Sequence, residues 1–256
     1  TCSNYTFSAA GMQEYNFGYL TPSTTLAPFQ VNGAVAWGAV APTVTVVAAN
    51  LGPGSYPLMT WTGSQSGTAP TTAILPPHVT GTLSIVGGNT LTLNVSANAQ
   101  PIRWNGNVNT TWDINGTANW LDAVSTAANY MEPFIPGDAV LFDDSASVAS
   151  PITVTLGVTA NPASVTASNV TKNYIINGAG KIGGATGLTK NGAGTLTLGF
   201  SGVNSYTGTT AILAGKLALG AANQMPDVSD VNVSSAGILD LAGLAETING
   251  LGGAGV

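Results

Sequence analysis

The chain has 256 residues, of which 5 are Lys or Arg and 11 are Asp or Glu, so only 6% is charged and the net charge is −6, where an ordinary soluble domain is roughly a quarter charged. That balance excludes most intracellular enzyme classes and leaves no basic footprint for nucleic acid or anionic lipid. Glu, Lys, Arg and Gln, which lose little rotamer freedom in a helix, fill only 13 positions against 33 Gly, which argues against a helical bundle or an alternating α/β fold.

The chain starts at Thr1 without a basic or apolar leader, which reads as a mature exported protein or an internal piece of a longer polypeptide. Cys2 is the one cysteine and cannot form an internal disulfide. The most apolar window, Val31 to Ala49, is broken by Asn32, Gly33, Gly38, Pro42, Thr43 and Thr45. It falls short of the ~18 apolar residues a membrane helix needs and reads as strands. Period-two alternation then recurs along the chain, as expected of strands with one buried face. It runs through Leu83 and Ile85; Leu91, Leu93 and Val95; Ile152, Val154, Leu156 and Val158; Leu196 and Leu198; Leu217 and Leu219; Val231 and Val233; and Leu239 and Leu241. Turn clusters at Asn50 to Gly54, Val86 to Asn89 and Gly199 to Asn204 separate these runs. A sandwich, a barrel or a β-solenoid can absorb many short strands of this kind.

Candidate chemistry is sparse. His78, the only histidine, sits in a Pro76-Pro-His-Val segment, so a histidine metal cluster cannot form and no nucleophile-elbow motif accompanies it. Trp104, Trp112 and Trp120 recur every eight residues amid Asn, Thr and Gly. Exposed, they would offer a stacking platform for sugars; buried, they would plug a module end, which the low entropy cost of aromatics favours. Glu132, Asp138, Asp143 and Asp144 cluster in sequence. They could pair as glycosidase carboxylates, or Asp138, Asp143 or Asp144 could hold calcium with backbone carbonyls. The preferred reading is that they cap loops. Gly178-Ala-Gly-Lys-Ile-Gly183 fits a dinucleotide-loop pattern, but the glycines and the Thr-Leu strand that follow leave no helix to receive a pyrophosphate. Asn4, Asn94, Asn109, Asn115, Asn169 and Asn232 head N-x-S/T triplets that so Asn- and Thr-rich a chain makes by chance.

Internal similarity favours the solenoid. Asn173 to Gly180 has an echo at Asn4 to Gly11, matching at Asn, Tyr, Ala and Gly. Gly187 to Leu198 then reads Gly-Leu-Thr-Lys-Asn-Gly-Ala-Gly-Thr-Leu-Thr-Leu, followed by Gly202 to Ile212 and by Gly215-Lys-Leu-Ala-Leu-Gly220. With Leu188, Lys190, Gly192, Gly194, Thr195, Leu196, Leu198, Asn204, Tyr206, Gly208, Thr210, Gly215 and Leu217 at matching positions, this closely resembles the autotransporter-associated β-strand repeat, or passenger-associated transport repeat. Residues 173–256 carry the resemblance. It implies an all-β fold, a right-handed parallel β-helix with Gly- and Asn-rich turns on a bacterial secreted or cell-surface protein, and it implies no activity. A sandwich-like or loop-rich insertion is allowed for. The expected organisation is a β-rich segment over 1–100, solenoid or module end; a Trp- and Asn-rich connector or plug over 101–138; and the β-helix over 139–256. The expected role is structural, a stalk, fibre or surface-layer segment that stacks within a chain and between copies into a homopolymer. It needs no catalytic residue, cofactor or metal, binds no nucleic acid and does not insert in a membrane. The alternative is a glycan-binding adhesin or polysaccharide-degrading enzyme using Trp104 to Trp120 and the nearby carboxylates.

Overall fold

A computed structural model describes residues 3–7, 11–18, 20–48, 51–97, 99–132 and 135–255. Cys2, Ala49, Asn50 and the Ser8 to Ala10 part of the echo lie outside the described residues. Within them every regular element is a β-strand, as the shortage of straight-chain residues and the wealth of Thr, Val and Gly require. The chain divides into two compact units, Thr1–Asn98 and Ala99–Val256.

The second unit is dominated by one sheet of thirteen strands, in which two parallel ladders can be followed. In the first, Gly137–Phe142, Pro162–Ala167, Leu188–Lys190 and the start of Thr210–Leu219 pair in turn, then Asp230–Asp240 and Gly250–Gly253. In the second, Ile152–Leu156, Tyr174–Gly178, Thr195–Phe200 and the end of Thr210–Leu219 pair in turn. Between successive strands of one ladder the chain always passes through a strand of the other, so the parallel pairing needs no helical crossover. A short third ladder joins Thr159–Ala160 to Lys181–Ile182.

Because each rung repeats the inward–outward alternation in register, like side chains form columns. Val140, Val165, Leu188, Thr210 and Val231 face one another along the first ladder. Ile152, Tyr174, Leu196 and Leu217, beside Val154, Ile176, Leu198 and Leu219, do so along the second. All are buried, and all but Thr210 belong to one apolar core. Rungs ~4.8 Å apart bring these side chains into van der Waals contact along each column. The alternation expected over Ile152 to Val158 ends at Leu156, since Val158 lies past the strand and is 45% exposed; Leu241 similarly lies past Asp240 and is exposed. Residues 101–128 enter the same sheet through Pro101–Trp104, Thr111–Trp112, Trp120–Leu121 and Ala127–Ala128.

The first unit also contains parallel ladders, on a longer spacing. Tyr5–Thr6, Val35–Ala36 and Gln65–Ser66 form one; Met12–Gly18, Thr43–Ala48 and Ala73–Ile74 a second; Phe29–Val31 and Gly54–Trp61 a third. Asn4 Oδ1 accepts from the Ala34 N–H 30 residues on. The rungs approach so closely at Gly63 that a Cβ there would lie 2.7 Å from the Gly33 carbonyl carbon. Phe7 stacks on Trp37 at 5.0 Å, and Trp37 meets Trp61 edge-on at 5.5 Å. The hairpin of Thr80–Val86 and Thr90–Ala97 pairs antiparallel along Gly54–Trp61 and takes the edge that another parallel rung would occupy.

Candidate functional site

The residues of the 187–220 motif occupy the interior and corners of the second unit. Leu188, Leu196, Leu198 and Leu217 are core positions in the columns above. Lys190 follows Ala167 and precedes Ile212 in an inward-facing column, fully buried. Its Nζ donates to the carbonyls of Asn191 at 2.8 Å, Gly192 at 2.7 Å and Ala214 at 3.3 Å. The ammonium therefore ties the turn after one rung to the next. Burial pushes its pKa down to about 8, against a smaller upward pull from Asp144, because a charge loses hydration there.

Thr210 places a hydroxyl in the apolar column beside Leu188 and Val231, where it is paired with the Tyr206 hydroxyl at 2.6 Å; both residues are fully buried. Burial raises the Tyr206 hydroxyl to about 12. Asn204 substitutes its amide for a missing ladder strand. Its Oδ1 accepts from the Ile182 N–H at 2.7 Å, and its Nδ2 donates to the Gln224 carbonyl at 2.7 Å. Gln224 in turn accepts from the Phe200 N–H, and the Glu246 carboxylate accepts from the N–H groups of Gln224 and Met225. This polar stack satisfies backbone groups at the corner where regular pairing stops.

Gly192 and Gly215 mark the tight corners. Each has a positive φ, 77° and 68°, and a Cβ would fall 2.4 Å from the Asn169 carbonyl oxygen and 2.2 Å from that of Gly192. The Thr195 N–H donates to Asn173 Oδ1, 22 residues earlier, while Gly194 donates to the Asn169 carbonyl and Gly208 to that of Thr186.

The acidic residues act as caps in the described structure. Asp138, fully buried, accepts from the Gln100 and Met131 N–H groups. Glu132 accepts from the Tyr130 hydroxyl and from Asn161 through both its N–H and Nδ2. Asp143 accepts from the Ser145 N–H and hydroxyl. Asp144 accepts from the N–H groups of Val170, Thr171 and Lys172. Slight desolvation opposes ionisation of Asp144, but the Lys172, Thr171 and Val170 amides outweigh it and hold the carboxyl below its ordinary range. Among the described residues no three His, Cys, Asp or Glu side chains gather as metal ligands.

Trp104, Trp112 and Trp120 meet edge-on, at 4.9 Å for Trp104–Trp120 and 5.4 Å for Trp112–Trp120, and pack with Tyr130 and Phe142. All three indoles have zero exposure, so no ring face is open to a sugar. The fully buried Asn119 organises the loop around them. It accepts from the Val108 and Asn109 N–H groups and donates to Asn109 Oδ1 and the Thr111 carbonyl. His78 lies in the turn where the Val79 N–H donates to the Pro76 carbonyl, with φ at 65°. Gly178 to Gly183 contains the strand Lys181–Ile182 and is followed by the strand Leu188–Lys190, so no helix dipole faces that turn. Of the triplet asparagines, Asn169 is buried with its Nδ2 on the Lys172 and Thr195 carbonyls. Among the described residues no helix is long and apolar enough to cross a membrane.

Sequence reasoning passed over Gln224, Glu246 and Asn119, whose amide and carboxylate pairing leaves no local signature. It also passed over Arg103, the only arginine, whose rarity was a signal available from composition.

Residues 188–219 match the family model described as the passenger-associated-transport-repeat. A repeat of this family implies an autotransporter-passenger context, that of a surface protein. No curated protein and no solved structure matches the chain.

Proposed function

We propose that this chain is a structural segment of a secreted or cell-surface bacterial protein, built as a right-handed parallel β-helix whose coils stack into a rigid stalk or fibre. The observation that carries this is the register of the second unit. Parallel strands from Gly137 to Gly253 pair in unbroken succession, and their inward side chains form continuous columns. Such a core grows by adding rungs, each contacting only its neighbours. An apolar recess of about 440 Å³ bounded by Val233, Leu239, Leu241 and Leu251 is a surface on which another coil can stack, from the same polypeptide or from a second copy. Sparse charge suits this role, since stacked identical charges would repel along each column.

In this reading the chain has no catalytic role and needs no cofactor, and its partners are other coils. Negative-stain microscopy and sedimentation velocity of the full chain test it. Rods that lengthen with concentration are expected, and compact monomers at high concentration would count against assembly between copies. A glycan array and a reducing-end release assay are expected to be silent, because the indoles that would stack on sugars are covered.

A further inference from the structure

The outward face of the second unit changes character at its first rungs. Pro101 pairs with Ala139 and Ala139 with Ser164, while Arg103 pairs with Leu141 and Leu141 with Thr166. Three small residues thus make a low floor between larger neighbours. On the other side Arg103 pairs antiparallel with Leu121, and the turn that follows rises beside the floor. Asp122 Oδ1 folds that turn by accepting from the Val124 and Thr126 N–H groups. The open groove between them has a volume of about 290 Å³ and is lined chiefly by apolar atoms of Pro101, Leu121, Ala123, Ala139 and Leu141, with Arg103 as its cation and Asp122, whose Oδ1 is engaged by its own turn, as its one carboxylate.

Arg103 is the only arginine in a chain of net charge −6. Its Nη2 donates to the Ser125 hydroxyl at 2.5 Å, which fixes the guanidinium on a neutral partner. Its Nε is buried and has no hydrogen-bond partner. No carboxylate among the described residues forms an ion pair with it. Guanidinium stays charged, presents donors in a planar fork and recognises carboxylates through it. A half-buried guanidinium that forms no ion pair, because the carboxylate of Asp122 beside the groove is engaged by its own turn, keeps donor capacity for an anion, and apolar surroundings raise the strength of any charge pairing made there.

We propose that this groove binds a small organic carboxylate with an apolar body, an aliphatic or aromatic monocarboxylic acid, whose carboxylate pairs with Arg103 and whose body lies on Pro101, Ala139 and Leu141. The volume stands at the small end of ligand pockets, which sets the size at that of benzoate or hexanoate. The apolar lining selects such acids over sugar acids, whose hydroxyls would lose water without finding partners.

The test uses the full chain titrated with benzoate and with hexanoate, followed by calorimetry and by methyl shifts of Leu121 and Leu141. Benzyl alcohol serves as the neutral analogue. Saturable binding of the acids is expected, with benzyl alcohol and the Arg103→Gln variant weaker by about tenfold or more, the scale of one charge-assisted hydrogen bond. Ser164→Leu fills the exposed floor without touching the core and is expected to abolish binding while leaving the melting temperature unchanged. Absence of saturable binding by either acid, equal binding of benzyl alcohol, or unaltered binding by Ser164→Leu would each overturn the assignment. The Ser164→Leu arm stands even if Arg103→Gln fails to fold.

Discussion

Lys190 makes the repeat's interior testable through pH. The group is buried, its pKa lies at about 8 against 10.5 for a free lysine, and desolvation is the main cause. The unfolded chain therefore holds more protons than the folded chain between those two values, so stability should rise as pH increases through that interval. At 1.36 kcal/mol per pH unit the interval caps the gain at about 3 kcal/mol, and screening at the turn reduces it to about 1–2 kcal/mol. Lys190→Met keeps the stem but removes the donor from the carbonyls of Asn191, Gly192 and Ala214. At pH 7 that should destabilise the second unit by about 1–3 kcal/mol, since unpaired buried carbonyls outweigh the relief of desolvating one ammonium. Urea titrations between pH 7.5 and 9.5, read by hydrogen exchange on peptides spanning 188–219, separate this unit from the first. Above that range the raised tyrosines Tyr130, Tyr174 and Tyr206 act in the opposite direction, because they ionise more readily when unfolded. A flat or falling stability of the native chain over the window would refute the reasoning, as would an undiminished rise in Lys190→Met.

Three further substitutions probe the same architecture. Asn204→Leu strands the Ile182 N–H and the Gln224 carbonyl and should lower unit stability by about 2–4 kcal/mol in urea melts, two unsatisfied buried groups at the usual cost. Gly215→Val combines a positive φ with a Cβ 2.2 Å from the Gly192 oxygen. It should cost at least about 2 kcal/mol and raise proteolysis around residues 192–215, whereas Gly202→Ala, with open space around it, should be nearly neutral. Trp112→Ala empties the centre of the aromatic cluster and should cost about 3–5 kcal/mol by thermal melting; a near-native melting temperature would mean the indole is not packed as described.

The strands of the second unit were legible because a period of two is a local property: Val154, Leu196 and Leu217 are inward where alternation puts them, and the pattern fails only at Val158 and Leu241, which lie past the ends of their strands. Lys190 and Thr210 were legible as motif positions but not as core residues. A lysine in a strand ordinarily faces water, and the carbonyls of Asn191 and Gly192 in its own turn, with that of Ala214 brought beside it by stacking, make its burial tolerable. The rungs of the first unit escaped notice because they share spacing rather than sequence. Gly33 and Gly63 are separated by one rung, yet the residues around them differ, so self-similarity searched by identity misses them.

Composition by itself determined that the chain is all-β and sparsely charged, since both follow from which residues are present. The repeat spacing determined where the second unit's rungs begin, because register fixes faces once one residue is placed. Only the tertiary structure decided what lies between rungs. The caps made by Asp138, Asp144 and Glu246 each join residues more than twenty positions away from them or from one another in the chain. The groove at Arg103 likewise takes its floor from residues 101, 139 and 164. Nothing local couples those positions; they are neighbours because successive strands stack, and stacking is a property of the folded chain.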